Sequence, residues 1–333
     1  FEIERRIAEA TDIPLMHDDQ HGTAIISAAA LINACELQGK AIEEVKVVVI
    51  GAGASAIACA NHYVACGVAP EHITMCDSQG IVTKARLEAG EINAYKAPFA
   101  QDRPAGDLSD ALVGADVMLG LSRGGLVTGE MVASMAERPI VFALANPTPE
   151  ISPDEVKAVR EDAIIATGRS DYSNQVNNVL GFPYIFRGAL DVRARDITQG
   201  MKMAATRALA ALAKEPVPDY ISQAYDGLEM QFGPEYIIPK PFDRRVLIWE
   251  ASAVAQAAVE EGVAAVSADD FDALRYREEL EGRLGQSYAL MRSVINQVRG
   301  RGKRIVFPEG DQERVLRAAA QLSDQQICHP ILL

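Results

Sequence analysis

Short apolar runs alternate with stretches of helical composition over the first half of the chain. Five such runs end in polar or glycine-containing sequence: Val45–Ile50, His72–Cys76, Ala115–Gly120, Pro139–Leu144 and Ala163–Ala166. Runs that are apolar almost throughout are typical of strands buried on both faces, as in a parallel sheet covered by helices. The pattern therefore predicts an α/β fold with a doubly wound parallel sheet, like the Rossmann fold.

Helical stretches flank this predicted sheet. One stretch of small residues precedes it, at Ile25–Leu37. Three stretches follow it, at Leu190–Lys214, Arg244–Glu261 and Asp269–Val298. We expect these segments to cover the sheet and to extend beyond it as a helical region.

The composition changes near the C-terminal end of the chain. Arg299–Arg304 is a basic, glycine-containing segment that we interpret as a flexible joint. A new strand is predicted at Ile305–Gly310, followed by a helix at Glu313–Leu322 and an apolar run at Pro330–Leu333. We expect these residues to begin a second α/β domain.

The turn after the first predicted strand has the pattern of a dinucleotide site. Gly51 permits a tight turn, Gly53 lets the backbone approach a pyrophosphate, and Ala56 allows close packing of helix on strand. The start of the following helix offers free N–H groups to the phosphates. Asp77 ends the second strand at the spacing expected of the acid that binds a ribose 2′-hydroxyl. Together these features predict a dinucleotide-binding domain.

Small or polar residues stand at the carboxyl ends of the predicted strands, where ligands bind such sheets. Polar residues at these positions are also common simply because loops face water. We expect cofactor contacts from this edge and from the first helical turn. The candidates are Gly51, Gly53, Ala54, Ser55, Ala56, Asp77, Ser78, Ser122 and Asn146.

The charge balance argues against some classes of partner. The 333 residues include 46 acids and 32 Lys or Arg, for a formal net charge of −14. Such a chain is poorly suited to nonspecific binding of nucleic acid or anionic membranes. No apolar run reaches the roughly 18 residues of a membrane span. The five cysteines lack CxxC spacing, so we expect reduced core residues of a cytoplasmic protein.

A second group of chemically active residues lies before the first predicted helix. Asp18 and Asp19 stand between His17 and His21. The two carboxylates are hard oxygen ligands that suit Mg²⁺ or Mn²⁺. Alternatively they cap the helix, since Asp is a preferred capping residue. Zinc is disfavoured because Pro14 argues against one helix bearing both histidines and no third soft ligand is near.

Several motifs, taken in this order, resemble bacterial malic enzyme between Phe1 and Ala264. They are HDDQHGTA (His17–Ala24), VVVIGAGASAIA (Val47–Ala58), CDSQG (Cys76–Gly80), ALANPTPE (Ala143–Glu150) and GRSDYSNQVNNVLGFPYIFRGALDV (Gly168–Val192). Beyond them, KRIVFPEGDQERVLRAA (Lys303–Ala319) resembles the opening of a phosphate acetyltransferase domain. This tandem is similar to the hybrid, NADP-dependent type of malic enzyme, in which such a domain follows the oxidoreductase.

The resemblance implies that the chain is divided into four parts. Residues 1–37 correspond to the end of the N-terminal malic domain with a connecting helix, and 38–187 to the dinucleotide-binding domain. Residues 188–298 correspond to the helical C-terminal part of the malic enzyme, and 299–333 to the start of a truncated acetyltransferase-like domain. Because Phe1–Arg6 look like mid-helix sequence without an initiator Met, we expect a fragment that lacks the N-terminal part.

The resemblance also implies oxidative decarboxylation of L-malate to pyruvate and CO₂, with hydride transfer to NADP or NAD and a bound Mg²⁺ or Mn²⁺. Loss of CO₂ leaves an enolate, which such an ion stabilises as a Lewis acid. Asp19 matches the metal ligand of the family, with Asp18 as its neighbour in the same shell. Asn146 matches an asparagine that contacts malate near the nicotinamide. Asn178, with Asn177 a close second, is expected to reach the substrate.

The acid–base tyrosine and lysine of the family match no residue of this chain. Lys84, Lys96, Lys202 and Tyr172 stand in other sequence surroundings, so we assign none of them to catalysis. The malate hydroxyl proton and the enol tautomerisation both require a positioned acid or base. We therefore expect these 333 residues to bind dinucleotide but to turn over malate negligibly.

The sequence gives two opposed indications on the cofactor. Asp77 favours NAD, because a carboxylate repels a 2′-phosphate. The hybrid malic enzymes mostly use NADP, and Ser78, Lys84 or Arg86 lie close enough in sequence to meet that phosphate. We predict NADP, with NAD as the alternative.

Further expectations concern partners. The acetyltransferase-like domain implies a regulatory acetyl-coenzyme A site in the full protein, and two-domain dehydrogenases commonly form homo-oligomers. A noncatalytic dinucleotide-binding module, used for regulation or assembly, is the alternative to an enzyme.

Overall fold

The computed structural model of the chain describes residues 1–225, 228–298, 300–324 and 327–333. These residues form two units, Phe1–Ala273 and Leu274–Leu333. Arg299, the first residue of the predicted joint, lies outside the described residues. Within the described ranges, no helix is both long enough and apolar enough to cross a membrane.

A six-stranded sheet forms the centre of the first unit. Its strands are β1 (Val47–Ile50), β2 (Ile73–Asp77), β3 (Gly80–Ile81), β4 (Val117–Gly120), β5 (Ile140–Ala143) and β6 (Ile164–Thr167). Their order is β3-β2-β1-β4-β5-β6, and every neighbouring pair is parallel except β2 with β3. The five predicted strands and the Rossmann-like parallel sheet are thus confirmed. The edge strand β3 is too short for an apolar pattern to reveal it.

Helices cover both faces of this sheet, as the full burial of β1, β4, β5 and β6 requires. The helices of the first unit are α1 (Glu2–Ala10), α2 (Asp18–Gln38), α3 (Ala54–Ala65), α4 (Lys84–Glu88), α5 (Leu108–Leu112), α6 (Gly129–Ala133), α7 (Pro153–Val159), α8 (Phe182–Asp191), α9 (Gln199–Leu212), α10 (Asp219–Ala224) and α11 (Arg245–Glu260). Short 3₁₀ turns lie at Pro70–His72, Ala97–Phe99 and Asn178–Leu180. The five cysteines are free, and all but Cys66 are buried.

Helix α2 is longer than the helix predicted from its small residues. It begins at Asp18 rather than Ile25 and ends at Gln38, and Gly39, with a φ of 61°, forms a left-handed C-cap. Ala28 and Ala30 in its middle are fully buried. Small side chains let α2 lie close to α3 and α9, which both pack against it. As a result the acidic pair lies in the first turn of a helix that the core holds in place.

The single helix predicted over Leu190–Lys214 is wrong. Helix α8 ends at Asp191, and α9 begins at Gln199. Arg193 adopts a φ of 52°, which cannot continue a right-handed helix, and the Thr198 side chain caps the start of α9. The composition of this stretch is helical on both sides of the break, so the pattern of apolar residues does not reveal it.

The second unit contains most of α12 (Ala273–Val298), then β7 (Arg304–Phe307), α13 (Glu313–Asp324) and β8 (His329–Leu332). Strands β7 and β8 pair in parallel, and α13 connects them. A parallel pair needs such a crossover helix. The predicted start of a further α/β domain is therefore confirmed at the level of its elements.

Candidate functional site

The turn between β1 and α3 borders a cavity of about 710 Å³. Gly51 in this turn has a φ of 119°, and a Cβ there would lie 2.8 Å from the carbonyl oxygen of Leu121. Only glycine fits such a position without strain. A Cβ on Gly53 would instead meet open space. Gly53 is the N-cap of α3, and because no side chain caps this helix, its first N–H groups are available to an anion.

This cavity, the predicted cofactor cavity, lies at the carboxyl ends of β1, β2 and β4. Of the predicted cofactor residues, those in its wall are Gly51, Asp77, Ser78 and Ser122. Lys96 and Arg123 also line it. Ala56 is buried where α3 packs on the sheet.

A second cavity, of about 540 Å³, has two other predicted cofactor residues in its wall, Ala54 and Ser55. The same wall includes Asp19 and Gln20 from the first turn of α2. The chain therefore lines the first cavity at Gly51 and Ala52, before α3 begins, and the second cavity at Ala54 and Ser55, in the first turn of α3.

Two cations hold the Asp77 carboxylate. Arg86 donates from Nη1 and Nη2 to its two oxygens, each at 3.0 Å, and Lys96 Nζ donates to Oδ2 at 2.9 Å. The backbone N–H of Gln79 donates to Oδ1 at 3.0 Å. Burial alone would raise the pKa of Asp77, but these hydrogen bonds outweigh it and lower the pKa to about 2. Asp77 is therefore an ionised carboxylate whose charge is neutralised by its own neighbours.

Of the two cations expected on sequence separation alone, Arg86 contacts Asp77 and Lys84 does not. Lys84, a candidate for the 2′-phosphate, lies 3.5 Å from the exposed carboxylate of Asp102, and both side chains are more than half exposed. Lys96, which the sequence did not single out for this cavity, contacts Asp77 instead. A lone lysine in a loop has no pattern that distinguishes it from a solvated surface residue, so only the tertiary fold identifies it.

A direct contact joins the first turn of α2 to the loop after β6. Asn178 Nδ2 donates to the backbone carbonyl and to carboxylate Oδ2 of Asp18, both at 3.3 Å. Thr23 donates to Asn178 Oδ1 at 3.0 Å, which fixes the orientation of the amide. Asn178, a predicted substrate residue, and Asp18, a predicted metal ligand, are thus brought together from distant parts of the sequence.

The Asp18 carboxylate is incompletely paired. Its Oδ1 is buried and has no hydrogen-bond partner. A Cβ on Gly22 would lie 2.1 Å from that oxygen, so glycine makes room for it. Burial raises the pKa of Asp18, and the hydrogen bond from Asn178 opposes this rise. Asp19, the next residue, is exposed.

The interpretation of the acidic pair as helix caps is wrong. The N-cap of α2 is His17, and no side chain makes a capping hydrogen bond there. Asp18 and Asp19 both lie within the first turn, where the helix dipole favours negative charge. Among the residues that the structure describes, no three His, Cys, Asp or Glu side chains converge as a metal site.

The other two predicted substrate residues differ in their surroundings. Asn146 is exposed in the loop after β5, the strand next to β6. Asn177 is the N-cap of the 3₁₀ turn: its Oδ1 accepts the N–H of Val179 at 3.1 Å, and its Nδ2 donates to the carbonyl of Gly168. The Asn177 amide is therefore occupied in local structure, whereas Asn146 is open to a ligand.

Family models match most of the chain. The model described as "Malic enzyme, NAD binding domain" matches residues 20–222. The model described as "Phosphate acetyl/butaryl transferase" matches residues 289–333. The tandem expected from the sequence motifs is thus confirmed.

Curated relatives match the chain over its whole length. An NADP-dependent malic enzyme of Rhizobium meliloti (strain 1021) is 50% identical over 333 residues, which cover 100% of this chain and 43% of the relative. An NAD-dependent malic enzyme of the same organism is also 50% identical, over 334 residues, with the same coverage. The chain thus spans less than half the length of these relatives. Their names specify different cofactors, so sequence identity does not decide between NADP and NAD.

Solved structures agree with this assignment. The crystal structure of Entamoeba histolytica malic enzyme is 37% identical and superposes with a TM-score of 0.77, covering 89% of this chain and 59% of that one. From the family model, the relatives and the fold together, the chain belongs to the malic enzyme family and includes its NAD-binding domain.

Proposed function

We propose that this chain binds NADP and takes part in the oxidative decarboxylation of L-malate to pyruvate and CO₂. One observation supports this most directly: the turn Gly51–Ser55 leads from the cavity lined by Gly51 and Asp77 to the cavity lined by Ser55 and Asp19. A dinucleotide with its pyrophosphate on that turn would extend its adenosine toward Asp77 and its nicotinamide toward Asp19. Hydride acceptor and acidic pair would then meet at one edge of the sheet.

The cations around Asp77 allow this carboxylate to lie beside the 2′-phosphate of NADP. A carboxylate repels a 2′-phosphate, but Arg86 and Lys96 already neutralise this one. Both contact the same oxygen, Oδ2, so Lys96 can turn to a phosphate while Arg86 keeps Asp77 paired. Arg123 adds a second cation to the cavity wall. The acid that is typical of NAD sites is thus compatible with NADP here.

The acidic pair fits a divalent cation such as Mg²⁺ or Mn²⁺. An ionised, buried carboxylate oxygen is costly unless a donor or cation pairs it, and Asp18 Oδ1 has neither. Asp19, exposed in the same helical turn, offers a further hard oxygen. Asp18 and Asp19 are therefore the residues that would hold the ion. When bound, it would supply Lewis-acid stabilisation of the enolate charge.

Asparagines would position malate in this proposal. The bonds from Asn178 to Asp18 are long, at 3.3 Å, so its amide hydrogens remain available for a shorter bond to a substrate carboxylate. Asn146 is exposed and offers a second uncharged amide, which both donates and accepts. Asn177 ranks behind them because its amide already caps the 3₁₀ turn.

Titration of the chain with NADPH and NADH, with binding measured from the nucleotide fluorescence, tests the cofactor assignment. Gly53→Ala is expected to keep the fold, because its Cβ meets no protein atom, and to weaken both nucleotides, because the methyl group occupies the path of the pyrophosphate. Lys96→Ala is expected to weaken NADPH by about tenfold and to leave NADH unchanged. Lys84→Ala is the matched control, since Lys84 pairs with Asp102 outside the cavity. Equal losses for both nucleotides in Lys96→Ala would contradict the 2′-phosphate contact.

Addition of Mn²⁺ and L-malate tests the catalytic part of the proposal. We expect the two together to change the affinity of the wild-type chain for NADP, and to have no such effect in Asp19→Asn. Steady-state reduction of NADP by malate is expected to be negligible for these 333 residues. Nucleotide binding that responds to neither Mn²⁺ nor malate would favour the noncatalytic dinucleotide-binding module instead.

Three further expectations stay predictions. They are assembly into a homo-oligomer, regulation of the full protein by acetyl-coenzyme A, and a cytoplasmic location. None of them is needed for the cofactor and metal assignments above.

A further inference from the structure

One buried carboxylate, that of Glu150, joins the loops that follow β4 and β5. The residue is 0% exposed. Its Oε1 accepts the backbone N–H of Ser122 at 2.9 Å, and its Oε2 accepts the backbone N–H of Ala145 at 3.1 Å. Ser122 lines the cofactor cavity, and Ala145 directly precedes Asn146. A single side chain therefore contacts the backbone beside both predicted ligand-binding positions.

Backbone hydrogen bonds reinforce this connection. The N–H of Val127 donates to the carbonyl of Glu150, and the N–H of Gly125 donates to the carbonyl of Pro149, each at 3.1 Å. At the strand ends, the N–H of Leu144 donates to the carbonyl of Gly120 at 3.0 Å. The loop after β4 and the loop after β5 thus form one hydrogen-bonded unit.

Gly120, the last residue of β4, makes the space that this carboxylate occupies. A Cβ on Gly120 would lie 2.4 Å from the Glu150 carboxyl carbon and 2.5 and 2.8 Å from its oxygens. Burial raises the pKa of Glu150, and the hydrogen bonds from Ser122 and Ala145 oppose this rise. A fully buried carboxylate is tolerated only when donors pair it, and here each oxygen has a backbone donor. The glycine and the glutamate are therefore matched parts of one arrangement.

We propose that Glu150 is a positioning residue that fixes Ser122 and Asn146 relative to each other and so aligns cofactor with substrate. The proposal rests on the function proposed above, because it takes Ser122 as a cofactor residue and Asn146 as a substrate residue. Glu150 acts only through the two loop N–H groups and touches neither ligand. Removing its charge should therefore disturb both loops at once.

Glu150→Gln is the first test, because it keeps the shape of the side chain. Its amide oxygen can accept only one of the two N–H groups, and its NH₂ group faces the other donor. We expect amide hydrogen exchange at Ser122 and Ala145 to speed up by at least about tenfold, and the affinity for NADPH to fall by about tenfold. Exchange at Gly51, whose N–H donates to the carbonyl of Cys76, is expected to stay unchanged.

Two further variants separate positioning from a general loss of stability. Gly120→Ala leaves Glu150 in place but displaces its carboxylate, so it should reproduce the joint change at Ser122 and Ala145. Glu155→Gln is the matched control: Glu155 is an exposed carboxylate that pairs with Ser152 in the capping box of α7. It should leave loop exchange and NADPH affinity as in the wild type.

The outcomes distinguish this inference from the proposed function. Unchanged exchange at Ser122 and Ala145 in Glu150→Gln and Gly120→Ala would overturn the positioning role. So would faster exchange in these variants with unchanged NADPH affinity, or a uniform rise in exchange that includes Gly51. Failure of the wild-type chain to bind NADPH would instead overturn the proposed function, and the exchange data would still decide whether Glu150 holds the two loops together.

Discussion

Asp77 and Asp18 both lie in the predicted ligand-binding region, but they are paired to very different extents. Asp77 accepts hydrogen bonds from Arg86, Lys96 and a backbone N–H, and its pKa falls to about 2. Asp18 accepts one long bond from Asn178 on its carboxylate, has one buried oxygen without a partner, and its pKa is raised by burial. The first carboxylate is satisfied by the protein itself, and the second is not.

This difference matches the ligand that each region is proposed to bind. The proposed 2′-phosphate needs a cation beside it, and Arg86 can keep Asp77 paired when Lys96 turns to that phosphate. A divalent cation needs carboxylate oxygens that are not already occupied, so the acidic turn of α2 remains underpaired. Functional sites commonly retain such unfavourable groups, and surrounding packing holds them in place. Here the well-packed α2 does so for Asp18.

The largest expected effect comes from removing a partner of Asp77. Arg86→Ala would leave a carboxylate that is only 11% exposed with Lys96 as its remaining cation. Loss of one partner of a largely buried pair destabilises a fold by roughly 2–3 kcal/mol. Urea unfolding at neutral pH measures this change. Lys84→Ala, which breaks an exposed pair, should cost less than about 0.5 kcal/mol; equal losses for the two variants would contradict the comparison.

The pH dependence of Asp77 is the next largest effect. Because the pKa of Asp77 in the folded chain is about 2 and its ordinary value is 3.8, the ionised carboxylate stabilises the fold above about pH 4. That contribution, about 2 kcal/mol, is lost as the pH falls from 4 toward 2. Asp77→Asn should therefore show a shallower loss of stability over this range. Unfolding free energies measured from pH 6 to pH 2 test it, and parallel curves for variant and wild type would be the contrary result.

Short-range sequence patterns were sufficient to predict the region around Asp77. The apolar run of β1, the glycine turn and the spacing to Asp77 are all short-range patterns with one physical cause each. They predicted the sheet, the tight turn at Gly51 and the acid at the end of β2. The pattern did not give Lys96, because that residue reaches Asp77 from a loop 19 positions away.

The surroundings of Asp18 depend on tertiary contacts, which short-range sequence patterns do not show. Asn178 and Asp18 lie 160 positions apart, and only the resemblance to a family placed both on one list of candidates. The sequence ranked Asp19 before Asp18, yet the structure shows the orphan oxygen on Asp18, because burial depends on Gly22 and Asn178 packing around it. Glu150 was missed for the same reason: its two donors are backbone groups of separate loops, which leave no mark in side-chain composition.

The smallest expected effect comes from Asp18→Asn. The pH dependence that Asp18 gives to stability is opposite in sign to that of Asp77. Because burial raises the pKa of Asp18, the folded chain holds a proton that the unfolded chain has released, and stability falls as the pH rises past 3.8. Asparagine removes this ionisation, so the variant should lose less stability than the wild type between pH 4 and pH 7. The change is expected to be smaller than for Asp77, because the hydrogen bond from Asn178 opposes the effect of burial on the pKa of Asp18.

At neutral pH, Mn²⁺ should make the wild type more stable than Asp18→Asn, which is the reverse of the order of stability expected without the ion. An ion that binds the folded chain but not the unfolded chain stabilises it by mass action, so the wild-type melting temperature should rise with Mn²⁺ concentration. Asp18→Asn should lack most of that rise, because the orphan oxygen no longer bears a charge for the ion to pair. Asp77→Asn should keep all of it, because Asp77 is already satisfied by Arg86 and Lys96. A full Mn²⁺ response in Asp18→Asn, or its loss in Asp77→Asn, would show that the degree of pairing does not separate the metal region from the nucleotide region.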